Sequence, residues 1–480
     1  MDLPDFLKIL PLVVLAGTTV VLMLVIAFWR NYKVTFFITL IGLIVAFITL
    51  PFGVSNKSLQ ITSILVINGS TVFYLGLLIA GCLIAVLLSY EYIEKFEGNR
   101  EEYYILLLLA TLGSSILVAS DHFVSFFLGL EILSVSLYGL IAYPHNLRQR
   151  IEAAIKYLIL AGATSAILLF GMALIYTVLG TMEFSRIAIS GAQPGNQNVM
   201  VLAGWGLLTV GIGFKLALVP FQYWTPDVYQ GAPAPVTGFI ASVSKGGMFA
   251  LMLRYFSRVD IFANSSLLAL FAAIAVASML YGNIVALMQH NVKRILAYSS
   301  IAHLGYLLVA FLASGSLGPQ AVAFYLVAYF ITTLSAFGVI TLISTPEHEI
   351  EELKDYESLV WRHPILATIF TISLLSLAGI PPSVGLIGKI FIAAAGVQSS
   401  LWVLLGSLIV GSVIGVFYYL RIVITMFRPP EEQVESVISL PSIYTTGGVV
   451  LSLLTFLIIS LGIYPLPIMQ IIARMISTLP

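Results

Sequence analysis

The chain is poor in charge and nearly free of cysteine. A single cysteine, Cys82, in 480 residues excludes a disulfide framework, a cysteine-held iron–sulfur cluster and a cysteine zinc site. No G-x-x-x-x-G-K-[S/T] loop is present, and no strand–GxGxxG–helix unit. The sequence therefore offers no nucleotide site and no recognisable redox centre of its own. Lys+Arg and Asp+Glu balance at 22 each, which leaves no basic surface of the kind nucleic acid requires. Charged residues make up 9% and hydrophobic residues 60%, against roughly 25% and 45–50% in soluble domains.

Apolar runs of about twenty residues recur from end to end, each long enough to cross a hydrocarbon layer about 30 Å thick as a helix. Barrel strands would alternate apolar and polar residues with period two, and these runs do not. The reading is an all-α polytopic membrane protein with about fourteen transmembrane helices. Their expected limits are 9–29, 34–50, 72–90, 103–119, 122–143, 152–178, 199–220, 234–256, 264–288, 293–313, 320–344, 364–396, 400–427 and 444–472. The first run follows Asp2, Asp5 and Lys8. It lacks a basic n-region and a small-residue cleavage site, so a retained helix is expected in place of a signal peptide.

Loops are short and no soluble domain is inserted. The longest polar stretch, Thr345–His363, carries Glu347, Glu349, Glu351, Glu352, Lys354 and Asp355, and is expected to form a short amphipathic surface helix. One set of loops holds most of the basic residues, among them Arg30, Lys33, Lys95, Arg148, Arg150, Lys293 and Arg294. The other holds Lys8, Lys57, Arg186, Arg254, Arg258 and Arg474. The richer face is expected to be cytoplasmic, which puts both termini on the outer face.

Two spans carry breakers. GWGLLTVGIGFKLALVPFQYW places Lys215 five residues before Pro220, and TISLLSLAGIPPSVGLIGKIF places Gly379, Pro381 and Pro382 ahead of Lys389. Proline removes a helix hydrogen bond and clashes with the preceding turn. At membrane depth such breaks persist only against protein or a wet cavity, and they point to transport sites.

The same segments hold ionisable residues, although an ionisable side chain at bilayer depth costs at least ~2.5–3.5 kcal/mol. Glu131 lies near the middle of its span. Lys215 and Lys245 are deep in theirs, the latter flanked by Ser242, Ser244, Gly246 and Gly247. Lys389 follows the double proline. These four are read as a proton or ion pathway, because desolvation disfavours the charged form of a buried amine and a nearby carboxylate restores it. A carboxylate that approaches and withdraws is thus a switch. His303 is mid-span and can pass protons near neutral pH. Lys156, one turn into its span, fits a relay or a side chain that snorkels to the headgroups. His122, His145, His290, His348 and His363 look interfacial and receive no role.

Three stretches, FKLALVPFQYWTPDVYQGAPAPVTGFIASVSKGG (Phe214–Gly247), HNVKRILAYSSIAHLGYL (His290–Leu307) and LAGIPPSVGLIGKIF (Leu377–Phe391), resemble the antiporter-like membrane subunits of respiratory complex I, the proton-pumping NADH–quinone oxidoreductase. The form WTPDVYQGAPAPV is similar to the subunit N type, and less like the L and M types or the Mrp cation/proton antiporters. Gln222 stands where the L and M types often have histidine, which removes one candidate proton carrier. The resemblance implies two inverted five-helix repeats, helices 4–8 (103–256) and 9–13 (264–427), with helices 7 and 12 broken. N-terminal helices 1–3 (1–102) and a C-terminal helix 14 (444–480) would flank them. It implies that Glu131 pairs with Lys215, that Lys245 connects onward, and that Lys389 faces the exit side. It implies partners among the other membrane-arm subunits, while the size of the chain and the absence of a transit peptide favour a bacterial inner membrane over an organelle. NAD, FMN, iron–sulfur clusters and quinone would be bound by partner subunits, with no cofactor in this chain. A secondary cation/proton antiporter and a structural membrane scaffold are the competing readings.

Overall fold

A protein backbone in hydrocarbon must satisfy its own N–H and C=O groups, which leaves helices as the building unit for these apolar runs. The computed structural model describes residues 3–53, 59–62, 64–144, 147–191, 199–259, 265–429 and 445–476; Lys57 and His145 lie outside the described residues. The helices are α1 (Leu3–Phe28), α2 (Tyr32–Ile48), α3 (Gly69–Glu94), α4 (Glu102–Ala119), α5 (Phe123–Ala142), α6 (Arg148–Leu179), α7 (Phe184–Gly191), α8 (Val199–Leu216), α9 (Trp224–Gly231) and α10 (Ala234–Phe239). They continue as α11 (Lys245–Val259), α12 (Ser265–Leu287), α13 (Val292–Phe311), α14 (Leu317–Ile343), α15 (Leu359–Arg362), α16 (Pro364–Ala378), α17 (Val384–Gln398), α18 (Trp402–Phe427), α19 (Thr446–Ile463) and α20 (Leu466–Ile476). Among the described residues, thirteen helical segments are long and apolar enough to cross a membrane. One of them, Ala234–Val259, joins α10 to α11 through a π-helical stretch at Ile240–Ser244. The two half-length helices α16 and α17 together supply one more crossing, in keeping with the count of about fourteen.

Polar side chains start several of these helices. Asn68 accepts from Thr71 N while the Thr71 hydroxyl accepts from Asn68 N, a reciprocal cap on α3. Asn31 and Asn291 cap α2 and α13 in the simpler way, each satisfying a backbone donor that has no carbonyl partner inside its helix. Neighbouring helices approach where side chains vanish. A Cβ on Gly113 would lie 2.5 Å from Leu133 N, so α4 and α5 cross backbone to backbone. Gly282 does the same for α12 and α13, where a Cβ would meet Tyr298 O at 2.8 Å. Close crossings of this kind supply the van der Waals contact that holds helices together where lipid is as apolar as leucine. Burial is uneven: α14 and the α10–α11 segment are buried along their whole apolar windows, and only about a third of the α1 window is. The former make the centre of the subunit and α1 its lipid edge.

Two expectations need correction. Thr345–His363 forms no amphipathic helix; it holds a short 3-10 turn at Leu353–Tyr356 and the single turn α15. The last span does not run to residue 472. It ends at Ile463, and the chain restarts as the short α20, because Pro465 lacks the N–H a continuing helix would use. Within the all-helical fold, a short antiparallel hairpin, β1 (Leu59–Thr62) with β2 (Leu65–Ile67), lies between α2 and α3. It is clamped to the helix ends by Ser125 Oγ and Asp121 N, both donating to Ile64 O.

The orientation count also treated Lys293, Arg150 and Arg254 as loop charges, yet all three are buried. Arg254 donates to Val66 O and Asn68 Oδ1 at one face. At the opposite face the Glu349 carboxylate reaches in from the 345–363 loop. It accepts from Lys293 Nζ at 2.5 Å, Tyr92 OH at 2.5 Å and Ala234 N at 3.0 Å, with Arg150 Nη2 3.6 Å away. One carboxylate thus ties the loop to α3, α6, α10 and α13. Removing it leaves Lys293, 1% exposed, as an uncompensated buried charge. Glu349→Ala is expected to cost about 3–5 kcal/mol, seen as loss of the purified assembly at lower temperature. Glu349→Gln, which keeps an acceptor, is expected to cost less; an unchanged melting profile for Glu349→Ala would show that the cluster contributes nothing.

Candidate functional site

Each of the two broken helices carries a buried lysine near its break, one before it and one after it. α8 stops at Leu216 because Ala217 turns into the left-handed region, with φ 59°. The chain then crosses Pro220 and restarts as α9. Lys215 therefore lies in the last turn of α8, where the C-terminal end of the helix dipole favours a cation. The freed backbone is repaired locally: Leu218 N donates to Gly213 O at 2.8 Å, and Val219 N donates to Ser278 Oγ at 3.0 Å on α12. The second break follows the same logic. α16 ends at Gly379, with φ 84°, and the chain passes Pro381 and Pro382 before α17. Lys389 comes from α17 and reaches back, its Nζ donating to Ala378 O at 2.8 Å. Lys389 thus caps the carbonyl end of the first half of its broken helix, whereas Lys215 belongs to the last turn of the first half of the other.

The deep lysines are almost fully withdrawn from solvent: Lys215 is 5% exposed, Lys245 1% and Lys389 8%. None has a carboxylate at bonding distance. Lys215 Nζ donates to Ser134 Oγ at 2.7 Å and Tyr157 OH at 3.1 Å. Lys245 Nζ donates to Ser300 Oγ at 2.6 Å. Glu131 is half-buried and accepts from Ser165 Oγ at 2.7 Å. Among the described residues no direct Glu131–Lys215 ion pair closes; serines on α5 and α6 hold the two groups apart in this state.

Aromatic rings fill the space between amines. Lys215 Nζ lies 5.0 Å from the Tyr157 ring centre, Tyr157 packs on Trp224 at 4.8 Å, and Lys245 Nζ lies 5.9 Å from Trp224. Trp224 is fixed by its own Nε1, which donates to Phe214 O at 2.7 Å across the break. Beyond Lys245, the Tyr329 hydroxyl donates to Ser300 Oγ at 2.8 Å. His303 is 4% exposed, with Nδ1 2.6 Å from Tyr325 OH and Nε2 3.1 Å from Tyr419 OH. Tyr419 in turn bonds Ser299. Past His303, its ring packs on Tyr306, over which Lys389 Nζ sits at 5.2 Å.

Lys215, Lys245, His303 and Lys389 are therefore strung through one buried chain of hydroxyls and rings, with Glu131 at its edge. Lys156 is not in it. Its side chain is 47% exposed and pairs with Glu152 and Asp227, both at 3.0 Å. Asp227 also accepts from Arg294 Nη1 at 2.9 Å. This cluster borders a cavity of about 200 Å³ at the Glu349 face. Among the described residues no group of three His, Cys, Asp or Glu is arranged to hold a metal.

Residues 120–415 match the family described as NADH:quinone oxidoreductase/Mrp antiporter, TM. A relative from Ectopseudomonas mendocina (strain ymp), NADH-quinone oxidoreductase subunit N, is 44% identical over 97% of this chain and 95% of its own. The chain belongs to this family. Within it, the likeness is to subunit N. Among solved structures, a chain of respiratory complex I from Thermus thermophilus with bound aureothin is 32% identical, with a TM-score of 0.81 over 96% of this chain and 98% of that one. A chain of the Mrp complex from Dietzia sp. DQ12-45-1b shares the fold, with a TM-score of 0.87 at 20% identity over 100% of this chain and 98% of that one.

Sequence depth alone singled out the buried lysines but not the groups that hold them. Ser134 lies three residues after Glu131 on the same helix face, a spacing that could have marked it. Ser300, Tyr329 and Tyr419 carry no such signal, because hydroxyls are common in these spans. Glu349 reads as one of the acids of the polar stretch, and its inward contacts depend on tertiary packing.

The Gly379 turn gives a direct test of the second break. A Cβ there would lie 2.9 Å from Lys389 Cδ, on a backbone already at φ 84°. Gly379→Ala is expected to cost about 1–2 kcal/mol from the left-handed conformation and to push Lys389 off Ala378 O. Thermal unfolding of the purified assembly and a density map of the variant check both; a Lys389 that stays on Ala378 would refute the coupling.

Proposed function

We propose that this chain carries protons across the membrane as a membrane-arm subunit of NADH–quinone oxidoreductase, along Glu131, Lys215, Lys245, His303 and Lys389. The observation that carries the reading is a set of buried amines held by hydroxyls in place of carboxylates. An amine so held is poised to lose its proton, because nothing of opposite charge fixes it. NADH oxidation and quinone reduction belong to partner subunits, which bind NAD, FMN, iron–sulfur clusters and quinone. Their free energy reaches this subunit as a displacement or a change of charge along the membrane arm.

In this reading Glu131 is the switch. When its carboxylate closes on Lys215 the amine holds its proton; when Ser165 holds the carboxylate, as here, Lys215 releases a proton toward Lys245. The proton then passes by His303 to Lys389 and leaves on the outer face. Lys156, Asp227 and Arg294 are assigned to the cytoplasmic mouth, where charge attracts water and protons to the cavity. The core is read as two inverted five-helix repeats, 103–256 and 264–427. Each holds close glycine-to-backbone helix crossings and one broken helix with a buried lysine beside the break. The protein sits in a bacterial inner membrane with both termini outside.

Lys215→Ala in the intact complex, in sealed vesicles, tests this. Proton uptake is expected to fall by about 10²-fold, the low end for loss of a proton-transferring side chain, with assembly intact and quinone reduction slowed or uncoupled. Normal pumping stoichiometry in that variant would overturn the proposal. Sodium-dependent proton movement by the chain without partner subunits would favour a secondary cation/proton antiporter.

A further inference from the structure

Among the described residues rings, not hydrogen bonds, lie between Lys215 and Lys245 and between His303 and Lys389, and the hydrogen-bonded stretch from Lys245 toward His303 is itself interrupted once. Lys245, Ser300 and Tyr329 form one group of connected polar atoms, and Ser299, Tyr419, His303 and Tyr325 form a second. No direct hydrogen bond joins the two among the described residues. Between them lies a small cavity of about 10 Å³, roughly the 10–15 Å³ that a single water needs by this measure. Three polar residues line it, Ser299, Tyr329 and Thr333, with Leu296, Ala336 and Leu377 among its apolar walls.

Thr333 is the second observation. It is 4% exposed, and its hydroxyl has no hydrogen-bond partner. The Tyr329 hydroxyl is close enough to interact with it, yet the pair falls outside hydrogen-bond geometry. On the same helix, Thr332 and Thr341 return their hydroxyls to the carbonyl four residues back, at 2.7 and 2.8 Å. Thr333 does not. A buried hydroxyl without a partner costs free energy in a packed interior, and buried water commonly answers such groups with about three hydrogen bonds.

The geometry points to a single ordered water in this cavity, held by Thr333, Ser299 and Tyr329, that joins Lys245 to His303. The inference rests on the proton-carrying reading above. The valences close: Tyr329 already donates to Ser300 and has a free lone pair, Ser299 Oγ has one to spare beside Tyr419, and Thr333 donates to the water. In transfer, the hydroxyls turn to point along the path. Lys245 gives a proton to Ser300, each oxygen passes one on as it receives one, and the water takes a proton from the Tyr329 side and gives another to Ser299. Tyr419 delivers the last to His303 Nε2. Lys245 ends neutral, His303 ends cationic, and every oxygen keeps its starting protonation. Thr333 is a positioning residue, which aims the water without carrying the charge.

The test uses the intact complex in sealed vesicles, with Thr333→Val, Thr333→Ser and Lys215→Ala measured together. Thr333→Val keeps the shape and removes the hydroxyl. Proton uptake per NADH oxidised is expected to drop severalfold with assembly intact, and Thr333→Ser is expected to restore it. A high-resolution density map of the unsubstituted complex is expected to show one water in the cavity, and the Thr333→Val map none. An empty cavity in the unsubstituted complex would overturn the inference without reference to activity. So would normal uptake in Thr333→Val alongside failure of Lys215→Ala, an outcome that leaves the broader reading standing. Normal uptake in Lys215→Ala would remove that reading, and this inference with it.

Discussion

A lysine inside a bilayer must be solvated by the protein that buries it, and this requirement organises the centre of the subunit. Water is absent and lipid offers no oxygen, so each ammonium needs acceptors supplied at fixed positions. A carboxylate would supply the strongest one, and would also hold the proton in place. This chain uses weaker acceptors instead: Ser134 and Tyr157 for Lys215, Ser300 for Lys245, and the Ala378 carbonyl for Lys389. The broken helices follow from the same need. An unbroken helix spends its carbonyls on its own N–H groups, and a break in mid-membrane exposes the last few. Lys389 uses one of them directly, and Lys215 sits within the turn where the dipole ends.

The breaks in turn require rigid surroundings. A helix interrupted at membrane depth keeps its geometry only if neighbouring elements satisfy what the break releases. Ser278 on α12 does so for Val219, and Ser376 Oγ accepts from Gly385 N at 3.2 Å at the other break. The first of these links runs from one proposed repeat into the other, so a shift in either half is felt at the Lys215 turn. Trp224 adds a second constraint, because its indole is fixed to Phe214 O while its face meets both Tyr157 and Lys245. The Glu349 cluster closes the same assembly at the face where uptake is proposed, through four helices and one loop.

Much of this was legible in the sequence, for a physical reason. Charge in an apolar run is so unfavourable that each exception stands out, and Lys215, Lys245 and Lys389 could be selected by depth before any family likeness was considered. The Gly–Pro breaks were legible because proline cannot continue a helix. What resisted reading was anything decided by two segments at once. Lys293 and Lys156 are both basic residues near a helix start, yet the first is buried on Glu349 and the second stays at the surface with Asp227. Single-sequence periodicity cannot separate them, since the difference lies in which loop folds back. The polar stretch at Thr345–His363 failed for a related reason. Its acids suggested a solvated helix face, but one of them, Glu349, was committed to the interior, and a regular helix cannot present a single side chain inward at that depth while the rest cross the surface.

The distribution of exposure along the proposed proton path bears on how it would be driven. Lys245, His303 and the hydroxyls that link them are sealed within the chain, whereas Glu131 is only half-buried, beside exposed Leu128 and Val135 on the same helix. A half-exposed carboxylate at membrane depth is costly against lipid, and much less so against a polar or cationic group of a neighbouring protein. In the proposed relay the lysines and His303 are thus insulated from outside influence, and Glu131, the proposed switch, is the most exposed member. A charge brought near Glu131 from outside would draw it from Lys215, or release it, without disturbing the packed hydroxyls beyond. Coupling to chemistry that takes place in other subunits needs this separation: a sensitive group at the edge, and behind it a path whose geometry does not move.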